Sequence, residues 1–231
     1  MSLAAVIQTY PVPNRGQLVG EGSYLVANGV GIAAGAVGTG QTLVAAQTSF
    51  SDTGSPIFYI QNTEPSQGGR TLYLDYIKLI STAVGTAAVS WQYAVVVDVT
   101  PKTASTNHVS ACVPFNPNSQ AANISSPTIL VQSSATASVW TASTSSSRTV
   151  ARGAVGGVNI AGHEYIVLFG DMSAAVPYVG STDTAAAPGR SGSCSGPVAV
   201  GPGGHNAHFH FWGPTSSASI APEFEIGMYY R

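Results

Sequence analysis

The stretch Arg70-Thr-Leu-Tyr-Leu-Asp-Tyr-Ile-Lys-Leu-Ile80 decides the fold class. Its apolar residues recur with a period of two, the repeat of a strand whose side chains alternate between faces. Leu72, Leu74, Tyr76 and Ile80 fall on one side, and Tyr73, Asp75, Ile77 and Leu79 on the other. Both sides are mostly apolar, which predicts a strand covered on both faces. Ser90–Asp98 has the same character, with Trp91, Tyr93, Val95 and Val97 pointing one way before Asp98-Val-Thr-Pro101 ends it.

Outward from these two segments the chain keeps one pattern. β-Branched and aromatic runs lie between Gly and Pro, of which there are 26 and 14, and no sustained helical spacing interrupts them. The remaining expected strands are Ser23–Val30, Gln41–Phe50, Ile57–Gln61, Thr128–Gln132, Glu164–Phe169, Ala207–Trp212 and Pro222–Tyr230. Thr103–Ser147, rich in Ser, Thr, Ala and Asn, reads as long surface loops with short strands, and Ser181–Gly204, rich in Gly, Ser and Pro, as a loop with a strand at Pro197–Val200. Residues 1–20, with Pro11, Pro13 and Gly16, read as an extended N-terminal arm. Many short strands without an internal repeat predict an all-β chain. The expected architecture is one β-sandwich domain over residues 21–231, of jelly-roll type.

Composition narrows the function. The 231 residues include only 8% charged, against about 25% in an ordinary soluble domain. Eight Lys+Arg against ten Asp+Glu leave a net charge of −2, so no basic surface exists to neutralise phosphates, and a nucleic-acid partner is not expected. The 44% hydrophobic fraction supports a core. No run is long enough for a membrane helix, and Met1–Tyr10 lacks the basic and apolar regions of a secretory signal. Neutral polar side chains must form most of the skin. Lysine, which guards exposed sheet edges, occurs only as Lys78 and Lys102. The expectation is that neighbouring chains cover those edges.

Few residues point to chemistry. In Gly204-His-Asn-Ala-His-Phe-His-Phe-Trp212, His208 and His210 share one strand face. Two imidazoles at this spacing are half of a metal site. Cupins, themselves jelly rolls, follow such a pair closely with Glu, but Phe211-Trp-Gly-Pro214 follows here. Glu223 and Glu225 would complete a set if Ala207–Trp212 and Pro222–Tyr230 formed a hairpin. A metal needs three or four convergent ligands, so His208, His210 and Glu225 are held as metal candidates behind a polar outer face or a subunit contact. Gly192-Ser-Cys194-Ser-Gly196 has the outline of a nucleophile elbow without its strand and helix context, and reads as a loop. Gly35–Gly40 lacks the Lys of a phosphate loop. Asn123-Ile-Ser125 is a glycosylation sequon. Cys112 and Cys194 read as idle thiols. No catalytic residue and no cofactor is expected.

Three segments carry a resemblance: Phe58-Tyr-Ile-Gln-Asn62, Gly68-Gly-Arg-Thr-Leu-Tyr-Leu-Asp-Tyr-Ile-Lys-Leu79, and the ending Ala221-Pro-Glu-Phe-Glu-Ile-Gly-Met-Tyr-Tyr-Arg231. Together they resemble strands of structural proteins from tailed bacteriophages. That resemblance implies a non-enzymatic β-sandwich of the capsid decoration, or cement, type, assembled into virions in the bacterial cytoplasm. It implies as partners the major capsid protein or other virion proteins, and copies of the chain itself, a trimer being the expected oligomer. Under it, Val6, Ile7 and Tyr10 of the arm, and His208, His210, Trp212, Tyr229 and Tyr230 of the last strands, are the expected contacts. The competing readings are a tail or carbohydrate-binding virion module and a cupin-like metal protein.

Overall fold

The computed structural model describes residues 15–30, 56, 58–81, 91–101, 108–109, 114–118, 125–132, 146–155, 164–170, 190–212 and 222–231. The expected strand Gln41–Phe50, the arm residues Val6, Ile7 and Tyr10, and the Gly35–Gly40 segment lie outside them. So do Cys112 and Asn123.

Among the described residues one short helix, α1 (Arg15–Gly20), precedes twelve strands. In chain order these are β1 (Tyr24–Val30), β2 (Phe58–Gln61), β3 (Leu72–Ser81), β4 (Trp91–Asp98), β5 (His108–Val109) and β6 (Thr128–Gln132). They continue as β7 (Arg148–Val155), β8 (Glu164–Phe169), β9 (Arg190–Ser195), β10 (Val198–Val200), β11 (Asn206–Trp212) and β12 (Pro222–Tyr230). They form two sheets, ordered β1-β12-β3-β8-β9, with β10 also on β3, and β5-β6-β2-β11-β4-β7. Among the described residues all strand pairings are antiparallel except β8 with β9. The architecture is therefore a β-sandwich.

Each sheet turns alternate side chains inward. The first contributes Leu25, Leu72, Leu74, Ile77, Val167, Phe224, Ile226 and Met228, and the second Phe58, Ile60, Tyr93, Val95, Ala207 and Phe209, to one continuous core. Phe58 joins the layers. Its ring lies 5.0 Å from that of Phe224 in the opposite sheet and 5.9 Å from that of Phe209 beside it.

The sequence reading of β3 needs correction, and the reason is a bulge. Gly227 pairs with Tyr76 and Met228 with Leu74, leaving Asp75 as an extra residue. An extra residue reverses the side-chain alternation beyond it. Leu72, Leu74, Ile77 and Leu79 all face the core, while Tyr73, Tyr76, Lys78 and Ile80 are only half-buried. A strict period of two mixed these groups, and so made both faces look apolar.

Other expectations also change. The Ser181–Gly204 segment, read as a loop apart from a strand expected at Pro197–Val200, contains β9 as well as the expected β10. β10 runs antiparallel to β3 along Leu72–Leu74, next to the stretch Tyr76–Ile80 that β8 occupies. It thereby fills the place that β8 leaves. Arg148–Val155 is a strand the sequence did not announce. Arg15–Gly20, assigned to the extended arm, is a helical turn and a half. The hairpin between the last two strands does not form. β11 lies between β2 and β4 in one sheet, and β12 between β1 and β3 in the other.

Candidate functional site

Three polar constellations are built on this frame. The first is the histidine strand. His208 and His210 project from β11 away from the core cluster, as their spacing predicts, but they are 2% and 0% exposed. Tyr59, Ala94 and Val96 share that face and are equally enclosed. The His208 imidazole meets the Asn206 Oδ1 through Nε2 at 2.5 Å, and its ring lies 5.5 Å from Tyr59 and 6.2 Å from His210. Glu225 belongs to the other sheet, so the metal set His208, His210, Glu225 is not brought together. Among the described residues no group of three or more His, Cys, Asp or Glu side chains converges to hold a metal. Tyr230 is also buried, at 2%. Tyr229 stays half-buried and stacks on Tyr73, its cross-strand partner, at 5.3 Å. Nothing is described of the Trp212 side chain.

The second constellation covers the outer face of the first sheet, and sequence reading missed it. The bulge turns Asp75 out of the ladder and into a 2% exposed position. Arg15 of α1 clasps its carboxylate with Nε at 2.6 Å and Nη2 at 3.0 Å, and the Tyr24 hydroxyl donates to it at 2.6 Å. A bidentate guanidinium is the strongest such partner. The Arg15 guanidinium also lies 5.6 Å from the Tyr76 ring centroid. Beyond it, the Tyr76 hydroxyl donates to Glu225 at 2.5 Å, and Lys78 reaches the same oxygen at 3.1 Å. Burial, then the charge of Asp75 and the bond to it, push the Tyr24 phenol well above its ordinary value. Burial and the bond to Glu225 do the same for Tyr76. Gly227 makes room for both rings, since a Cβ there would stand 2.7 Å from the Tyr24 hydroxyl and closer still to Tyr76. This cluster fastens α1 to the sheet. All its acids are committed to donors, which suits a fastening and not a reaction.

The third constellation lies at one end of the sandwich. Asn62 donates to the carbonyls of Arg70 and Val200 at 2.9 and 3.0 Å, tying the end of β2 to both β3 and β10. Nearby, Asp98 accepts from the Thr100 amide at 2.9 Å and from the hydroxyls of Ser146 and Ser147 at 2.6 Å each. Beside Asp98 opens a cleft of about 160 Å³, with Arg148 and His205 in its lining. Gly192–Gly196 is not part of any of these. Gly192–Ser195 lie on edge strand β9, and the chain continues through Gly196 and Pro197 into another strand, so there is no elbow geometry.

Among the described residues no helix is long and apolar enough to cross a membrane. The chain matches no known family model, no curated protein and no solved structure.

Proposed function

We propose that this chain is a non-enzymatic structural protein of a tailed-phage virion, a jelly-roll subunit that binds the capsid surface as a decoration protein and strengthens joints between capsid subunits. The observation that carries the reading is the strand order. Set aside β5, β6, β9 and β10, and eight strands remain. Numbered along the chain, the first, eighth, third and sixth form one sheet, and the second, seventh, fourth and fifth the other. Two interlocked Greek keys have this order, and jelly rolls serve as virus shell proteins, lectins and cupins. The separation of Glu225 from the two histidines argues against the cupin alternative.

The edges favour a shell. Lys78, the one lysine among the described residues, sits on interior strand β3 and is engaged by Glu225. Edge strands β7 and β9 of the two sheets lie beside each other. On the opposite side, edge strand β1 carries no charged residue. Phe115 bridges it at Val26 through bonds of 2.8 and 2.9 Å, and is itself 44% exposed. Phe115 already takes the Val26 N–H and C=O, so a neighbour would meet this uncharged, lysine-free edge by way of the exposed Phe115 segment. On this reading the work is mechanical: contact area across a joint, supplied by copies of the chain and by capsid protein.

Deleting residues 1–14 while keeping α1 tests the arm. The expected result is an unchanged melting temperature together with lost binding to particles assembled without the protein, read by co-sedimentation. Full binding by the truncated chain would refute the arm's part in it.

A further inference from the structure

We propose that the outer face of the first sheet, around Tyr73, is a binding platform for an acidic sugar, with a pyranose ring laid against Tyr73 and its carboxylate on Arg231. This goes beyond the shell reading and does not depend on it. The sheet register assembles the platform. Tyr73 on β3 pairs with Tyr229 on β12 to one side and with Ala199 on β10 to the other. The ladder continues by one more pair, since Thr71 and Arg231 exchange amide-to-carbonyl bonds of 2.9 Å in both directions. Leu72 and Tyr230, between these positions, are buried in the core, as are Val198 and Val200 on either side of Ala199. Alternation therefore turns Thr71, Tyr73, Ala199, Tyr229 and Arg231 outward together.

The shape of the ligand follows from the rings. Tyr73 and Tyr229 are stacked, with centroids 5.3 Å apart and planes 13° apart. Neighbouring strands lie about 4.8 Å apart, so the stack runs across the strands and the second face of Tyr73 turns toward β10. There Ala199 is exposed and rises no higher than a methyl group. Above it is a slot with an aromatic wall, suited to a flat ring whose polarised C–H groups meet the electron-rich face of Tyr73. The polar groups around the slot set the chemistry. Among the described residues no bond within the protein engages the hydroxyl of Thr71 or Tyr73, and a hydroxyl both donates and accepts. The acids of this face are already held, Asp75 by Arg15 and Tyr24, and Glu225 by Tyr76 and Lys78. Arg231 is exposed and takes part in no ion pair among the described residues. Its planar fork suits a carboxylate. An aromatic wall, two hydroxyls and one unbalanced cation are the complement of a hydroxylated ring that carries a carboxylate. An acidic peptide would use the wall and the cation but leave the hydroxyls to water.

The test is an amide-resolved NMR titration of the full chain with a galacturonate trimer, its methyl ester, acetate, and a short peptide carrying Glu beside Pro. The acid trimer is expected to shift the amides of Thr71, Tyr73, Ala199 and Arg231. The ester keeps the rings and hydroxyls but loses the charge, and should bind about tenfold more weakly. R231Q should bind acid and ester alike. A199F, which fills the slot from an exposed position, should weaken both by about tenfold. Neither variant should change the melting temperature. Absence of shifts at these amides, undiminished binding by A199F, or an ester as tight as the acid would each overturn the assignment. So would acetate binding as tightly as the trimer, which would leave a simple anion site, or the peptide binding more tightly than the trimer, which would make this face a protein-docking surface.

Discussion

Replacing Phe58 by alanine is expected to lower folding stability by about 3–5 kcal/mol. Phe58 is 0% exposed and touches rings from both layers, Phe209 within its own sheet and Phe224 across the core. Truncation removes its burial and leaves a hole that two sheets, each held by its own ladder, cannot close. Domains of this kind have about 5–15 kcal/mol in total, so the variant approaches the limit of folding. Urea unfolding measures the change as a lower midpoint at constant slope. V150A is the control: Val150 is 43% exposed, and its loss should stay within about 0.5 kcal/mol. A cost below about 1 kcal/mol for F58A would mean that the two sheets do not share this core.

The second large effect is asymmetric. The Arg15 side chain is 45% exposed and that of Asp75 is 2% exposed. R15A leaves a buried carboxylate with the Tyr24 hydroxyl as its donor among the described residues. Stranding one member of a fully buried pair costs ~3–5 kcal/mol. Water can enter through the vacated Arg15 position, so about 2–3 kcal/mol is expected, still well above a surface pair. Removing the carboxylate as well removes the stranded charge. The double variant R15A/D75A should therefore be at least as stable as R15A, and simple addition of the two single costs would contradict the account.

The same cluster sets an alkaline limit. Tyr24 and Tyr76 ionise above their ordinary value of 10.0 in the fold. Their contribution is complete below pH 10 and declines as pH rises past it, because the unfolded chain then releases phenolic protons that the fold retains. Melting curves between about pH 9 and 11 should show Tm falling above pH 10. The fall should be shallower in Y24F.

The sequence made the sandwich legible through short β-branched and aromatic runs set between Gly and Pro. Glu164–Phe169, Thr128–Gln132 and Pro222–Tyr230 lie where the pattern put them. The failures share a cause: local pattern carries no information about partners. Asp75 between Leu74 and Tyr76 gives no local sign of an inserted residue, and only the register of β12 reveals the bulge. β9, Arg-Ser-Gly-Ser-Cys-Ser, has the composition of a loop and is a strand because β8 offers it an edge. β7 was hidden by its arginines and glycine, which an edge strand tolerates. α1 is too short for a helical period to show.

The site residues were legible in part. The common face of His208 and His210 followed from their spacing, but the hairpin bringing Glu225 to them did not form. In this fold the last two strands belong to different sheets, and proximity in sequence could not reveal that. The Arg15–Asp75–Tyr24 clasp joins residues 51 and 60 positions apart. Arg148 and His205 line one cleft because β7 and β11, whose starts they mark, flank β4 in one sheet.

The central claim is that copies or capsid partners cover the uncharged border of this sandwich. Sedimentation velocity of the full-length protein over a wide concentration range tests it most directly. The account predicts a defined oligomer, a trimer on the phage reading, that loses its association when residues 1–14 are removed. A single monomeric species at every concentration, equally monomeric in the presence of empty particles, would contradict it.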